Sequence, residues 1–238
     1  MQSTRPLMVR APRGISRERA NDQEQEGERT ARTQSEMWQA ARRRAKKACM
    51  EHHQKKIACI GWGSLIWNPG TLPRLGGWHR DGPMLPVEFA RESAGRKITL
   101  VICKNVLEVQ TLWTLLTADD VATARQQLGL REYEAAKQKW IEANIGFWDR
   151  SSGETHGEGA QAITAWAEAR DLASVVWTNL NWGFKARPGV MPSGEEIIAH
   201  LRGLDGAERA AAEKYVRCTP HQVSTAYRKL IAAELGWI

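Results

Sequence analysis

The 238-residue chain is 42% hydrophobic and 26% charged, the proportions of an ordinary folded domain, which excludes disorder along its whole length. Its formal charge of +7 would suggest a nucleic-acid or membrane partner if the fold as a whole carried it. It does not: residues 1–56 hold 14 Lys and Arg against 7 Asp and Glu, whereas residues 57–238 hold 20 of each.

Residues 1–35 are rich in Arg, Gln, Glu and Ser and have almost no large apolar side chains. Such a composition buries too little surface to offset the entropy of ordering, so residues 1–56 are expected to form a basic, largely disordered extension. Within it the run EMWQAARRRAKKACMEHHQKK, residues 36–56, combines good helix formers with a weak apolar stripe, which predicts an exposed helix. Arg42, Arg43, Arg44, Lys46 and Lys47 are candidates for contact with phosphate or acidic lipid, but a solvated tail is the favoured reading over nucleic-acid binding. Met50 stands just ahead of the first predicted strand, so translation from that codon is an alternative to a translated tail. No apolar stretch of signal-peptide length and no run of ~18 apolar residues occurs, so a cytoplasmic protein without a membrane partner is expected.

Cys49, Cys59, Cys103 and Cys218 show no C-x-x-C spacing, and the six histidines no H-x-x-x-H spacing. Neither a zinc site nor a disulfide scaffold is predicted, and Cys59 and Cys103 read as small buried hydrophobes.

IACIGW, residues 57–62, is an apolar run that stops at Gly63 and Ser64, the pattern of a buried strand feeding a loop. Asn68, Pro69, Gly70, Pro73, Gly76 and Gly77 predict a long structured loop pinned by Trp67, Leu72, Leu75 and Trp78. Residues 84–93, 97–103 and 106–116 read as strands, the last two joined by a tight hairpin at Lys104 and Asn105 in an antiparallel meander. Thr117 is the expected cap of a helix carrying Val121, Ala124 and Leu128 at helical spacing and ending at Leu130, Arg131 and Glu132. Helical character continues from Tyr133 to Asn144, and residues 149–159 read as a polar loop. Apolar alternation favours strands over 161–168 and 173–180. Ser193 is expected to cap a helix over 195–202, and a longer helical stretch over 207–234 is broken near Pro220. The pattern fits an α+β domain with a single core over residues 57–238.

Two short segments carry chemistry. The first is G-W-G-S-L-I-W-N-P-G, residues 61–70. At its centre Gly63 permits close backbone approach, and successive N–H groups at a strand end form a concavity for a carboxylate or a developing oxyanion. This segment resembles the Y-G-S-L-I-W loop of ChaC-type gamma-glutamylcyclotransferases, with Trp62 in place of the tyrosine. The second is TLWTLLTADDVATARQQLGLREYE, residues 111–134, which resembles the strand, helix and R-E ending that carry the catalytic glutamate of that family. Tyr133, Glu134 and Ala135 here replace the G-G-Y that follows in the family.

The resemblance implies a small mixed β-barrel with flanking helices, no metal and no cofactor. It also implies a small γ-glutamyl substrate, whose α-amine attacks its own side-chain carbonyl to give 5-oxoproline. Glutathione is the first such compound to test. Glu132 takes the catalytic position, able to accept a proton from the α-nitrogen and return it to the leaving nitrogen. Trp62, Gly63, Ser64, Leu65, Ile66 and Trp67 would form the substrate loop. Between the two motifs, FARESAGRKITLV makes Arg91 and Ser93 candidates for substrate contact, Arg91 by pairing with a second substrate carboxylate. Each residue also has a plainer reading: a packed turn for residues 62–67, a helix-end carboxylate paired with Arg131 for Glu132, and a surface strand position for Arg91. A non-catalytic ligand-binding domain of the same fold is the alternative function.

Overall fold

A computed structural model describes residues 56–238; the expected tail and basic helix lie outside the described residues. Strand β1 (Ile57–Gly61) is buried along its whole length, as a continuous apolar run should be when both faces of a sheet are covered. Its side chains alternate between two cores: Ala58 and Ile60 enter one, Ile57 and Cys59 the other.

Beyond β1 come β2 (Arg74–His79), β3 (Met84–Leu85), β4 (Val87–Glu92), β5 (Ile98–Ile102), β6 (Val109–Gln110) and β7 (Leu112–Leu116). Helices α1 (Val121–Glu132) and α2 (Gln138–Asn144) then lead to β8 (Ile145–Asp149) and β9 (Thr155–His156). The chain finishes through α3 (Ala160–Ala169), β10 (Ser174–Thr178), α4 (Gly194–Arg202), α5 (Gly206–Cys218) and α6 (Ala226–Leu235). The class is α+β.

The strands form one six-stranded sheet, ordered β2-β7-β1-β10-β8-β9, and two pairs, β3-β6 and β4-β5. Within the large sheet only β1 and β10 run parallel. Helices α1 and α2 contribute to the core on one side, with Leu128 and Ile141 beside Ile57 and Cys59. The core on the other side joins the β4–β5 pair to α3 through α6, with Phe89, Leu100, Ile163, Ile197, Tyr215 and Ile231.

Several expectations are corrected. The small β-barrel does not close among the described residues, because β2 and β9 remain the two edges of the large sheet. Pro86 has no N–H to give a ladder, and it divides the expected strand 84–93 into β3 and β4, which pair with different partners. No hairpin joins 97–103 to 106–116. Asn105 does turn the chain, with φ 59, but β5 pairs back onto β4, and β7 joins β1 and β2.

The first helix is capped by Asp120, whose carboxylate accepts the Thr123 N–H at 2.7 Å, not by Thr117. Helical structure between Tyr133 and Asn144 is limited to α2. Residues 161–168 are helical because Ile163 and Ala167, four apart, share the buried face of α3; their alternation suited either period. β2 and β8 went unanticipated: two glycines in RLGGWH read as loop, and IGFWD fell between a predicted helix and a predicted loop. The strand at 173–180, the Ser193 capping box with Glu196 and the break between α5 and α6 are all present.

Candidate functional site

At the C-terminal end of β1 the chain folds into one tight turn: the Ile66 N–H donates to the Gly63 carbonyl at 3.0 Å and the Asn68 N–H to the Ser64 carbonyl at 2.8 Å. This turn borders a cavity of about 660 Å³. Trp62, Gly63, Ser64, Leu65 and Trp67 line it from β1 and the turn, Arg91, Ser93, Lys97 and Thr99 from the β4–β5 pair, Arg131 and Glu132 from the end of α1, and Lys214 and Tyr215 from α5. Every residue singled out in the sequence lines it except Ile66. That side chain packs on the main core, on the side where its Cδ1 stands 2.9 Å from a β-carbon built on Gly61.

Glu132 comes to the cavity because α1 ends there, its last turn followed by Tyr133, whose N–H donates to the Gly129 carbonyl. It pairs with Arg131, as the plainer reading anticipated, but neither side chain is on the surface: they are 17% and 9% exposed. Arg131 engages Glu132 Oε1 with one guanidinium nitrogen and, with the other, donates to Ser64 Oγ at 3.3 Å and to the Asn68 carbonyl. A buried arginine fork therefore ties the carboxylate to the turn. Among the described residues no donor reaches Glu132 Oε2. Sequence reading gave Arg131 no role beyond pairing, although the R-E dipeptide was the available signal.

Trp62 is buried and spends its indole N–H on the Leu100 carbonyl of β5 at 3.2 Å. It fixes the wall between β1 and β5. Arg91 is half-buried and donates to the Glu92 carbonyl at 3.2 Å; burial lowers its pKa, opposed by the charge of Glu132. Ser93 closes the β4–β5 turn by donating to the Lys97 carbonyl. Tyr133 and Trp140, ring centroids 5.7 Å apart, supply the wall beyond Glu132.

Tyr215 was missed, and no local pattern in ERAAAEKYV marks it. Its ring is buried between Trp67 and Phe89, edge-on to both, with centroids at 5.3 and 6.1 Å. Its hydroxyl oxygen receives the Leu100 N–H at 3.3 Å. A β-carbon on Gly63 would stand 2.4 Å from that oxygen. The glycine thus makes room for a hydroxyl of the protein itself.

Cys59 is the cysteine nearest the turn in sequence, but it is wholly buried in β1, and burial followed by the charge of Glu132 pushes its thiol far up from the ordinary range. A thiol held protonated is a poor nucleophile. Among the described residues no three His, Cys, Asp or Glu side chains gather as metal ligands, and no helix is long and apolar enough to cross a membrane.

The cavity wall carries one acid, Glu132, and four cations, Arg91, Lys97, Arg131 and Lys214. Of these cations only Arg131 forms an ion pair among the described residues. Such a wall is suited to a small molecule bearing carboxylates beside a single protein carboxylate able to move a proton. No protein-family model, no curated protein and no solved structure matches the chain.

Proposed function

We propose that the chain is a γ-glutamyl cyclotransferase that releases 5-oxoproline from a small γ-glutamyl compound. One observation carries the reading. Glu132 and the turn at Gly63 to Trp67 come from two motifs of one family resemblance, about seventy residues apart in the sequence, and both line the same cavity, joined through Arg131. The excess of cations fits a substrate that brings its own carboxylates, with Arg91 placed for one of them.

In the proposed reaction the lone pair of the free α-amine attacks the side-chain amide carbon. Glu132 takes a proton from that nitrogen as the new C–N bond forms and delivers it to the leaving nitrogen as the old C–N bond breaks. The products are 5-oxoproline and the released amine, with no net gain or loss of protons or electrons. Arg131 holds Oε1, so Oε2 is the oxygen left to shuttle the proton. The open sheet departs from the closed barrel that the resemblance implies, and the reading rests on the site alone.

A non-catalytic binding domain is the second reading, favoured by the pairing of Arg131 with the carboxylate that would have to work as the base. Incubation of the full chain with glutathione and other γ-glutamyl amines, with chromatographic detection of 5-oxoproline, separates the two. Formation above the spontaneous rate is expected. Binding of these compounds without turnover would leave only the second reading.

A further inference from the structure

The proposed reaction builds negative charge on the amide oxygen as the ring closes, and that charge needs a hydrogen-bond donor already in place. Two of the turn amides, Ile66 and Asn68, spend theirs inside the turn, and a side-chain donor stands beside them. Tyr215 lines the cavity with the turn and Glu132. A phenol oxygen accepts through its lone pairs and keeps one proton to give. With the Leu100 amide aimed at that oxygen, the hydroxyl keeps its proton to give, and among the described residues no protein acceptor takes it.

We infer that Tyr215 is the oxyanion donor of the cyclisation, its hydroxyl polarised by the Leu100 amide and giving its proton as a hydrogen bond to the γ-carbonyl oxygen of the substrate. This rests on the cyclotransferase reading and deepens it. As the C–N bond forms, the carbonyl electron pair moves to oxygen and is held by the phenolic O–H. It returns when the leaving amine departs, and the phenol keeps its proton throughout. An N–H donating to the phenol oxygen draws electron density from it and strengthens its own donation. Gly63 then has a defined part: any side chain there would displace the hydroxyl. Burial, together with the charge of Glu132, pushes the phenol up to about 12, so it serves as a donor across the physiological range.

Tyr215→Phe removes the hydroxyl and little else. A 10²–10³-fold loss in kcat is expected, the size seen on removing one oxyanion-hole donor, with the affinity for a non-reactive γ-glutamyl analogue changed less than threefold. Because the hydroxyl also accepts the Leu100 amide, the substitution removes an acceptor as well, and a second measurement separates donor from acceptor. A ring-fluorinated tyrosine introduced at position 215 ionises at lower pH. A phenolate accepts that amide better than a phenol but has no proton to give. If the hydroxyl donates to substrate, the fluorinated enzyme loses activity as pH rises through the new phenol pKa, while the parent keeps it. A fluorinated enzyme whose alkaline limb matches the parent's, or a folded Tyr215→Phe chain within threefold of parental kcat, overturns the inference and leaves the cyclotransferase reading standing. A parent chain that forms no 5-oxoproline overturns both.

Discussion

Glu88 and Glu132 are both drawn in from the surface, and they sit in opposite kinds of place. Glu88, on β4, is 2% exposed. Its oxygens receive the Phe89 N–H at 2.8 Å and, from the first turn of α6, the Tyr227 N–H at 3.1 Å. Glu132, at the end of α1, borders a cavity, has one oxygen engaged by a neighbouring arginine and, among the described residues, has no donor on the other. Glu88 is filled up with donors supplied by a strand and a helix N-terminus, and so latches α6 to the β4–β5 pair. Glu132 is held in place but left with unspent hydrogen-bonding capacity, the condition for passing a proton to a visiting molecule. Burial alone does not distinguish the two; unspent capacity facing a cavity does.

The comparison breaks most visibly under paired amide substitutions. Glu132→Gln keeps shape and removes the proton shuttle, so 5-oxoproline formation should fall by ~10²–10⁴-fold, the usual contribution of general acid–base catalysis, with the melting midpoint nearly unchanged. Glu88→Gln should do the reverse, retaining activity per folded molecule while lowering the midpoint. Steady-state kinetics and thermal unfolding of both variants check this. A Glu132→Gln chain within threefold of parental activity would remove Glu132 from the chemistry.

A second expected effect concerns the space beside Glu132 rather than its charge. Gly63→Ala places a β-carbon 2.4 Å from the Tyr215 hydroxyl oxygen and 3.4 Å from the ring carbon that bears it. Overpacking of this kind typically costs about 1–3 kcal/mol, and the displaced turn should also weaken binding of a γ-glutamyl analogue. Adding Tyr215→Phe deletes the oxygen in the clash and leaves only the ordinary 3.4 Å contact. The double variant should therefore recover stability relative to Gly63→Ala, a non-additivity expected of residues in contact. If urea midpoints for the two substitutions simply add, the strain lies elsewhere in the turn.

Much of this site was legible because its parts are local. The apolar run from Ile57 to Gly61, followed by glycine and serine, reads as a strand feeding a loop without knowledge of any neighbour. The helix ending in R-E likewise announces itself through the helical spacing of Val121, Ala124 and Leu128, though its cap was misplaced at Thr117. Tyr215 lacked any such signal: it meets Leu100 across 115 positions of chain, and its significance is the gap at Gly63 into which its hydroxyl reaches. Arg131 was visible, but its bonds to Ser64 and Asn68 depend on how the turn folds back on α1. The fold was misread where two periods fit the same letters, as over residues 161–168, and where Pro86 reassigns strand partners, which alternation alone does not reveal. Two glycines hid β2, whose pairing with β7 is interrupted by an irregularity between Leu75 and His79.

The smallest expected effect is a pH dependence that belongs to Glu88. Burial raises its pKa above the ordinary carboxylate range although the hydrogen bonds it accepts pull the other way. Folding therefore favours the protonated form. The stabilisation this gives is fully present below the unfolded-state value of about 4.3 and is lost as pH rises through the higher folded-state value. Glutamine at 88 does not titrate, but its amide nitrogen cannot accept the N–H that one carboxylate oxygen took, and a buried donor left unsatisfied costs about 1–3 kcal/mol. The stability deficit of Glu88→Gln should accordingly be greatest at the acid end and shrink as pH rises. Cys103 and Tyr227, the titratable groups coupled to Glu88, stay neutral over this window: burial pushes the thiol up to about 12 and raises the phenol. Urea unfolding of parent and variant from about pH 4 to pH 8, compared as the difference at each pH, reads the effect directly. A deficit that grows with pH would mean that Glu88 is held as the anion, and would make the latch on α6 an ionic one.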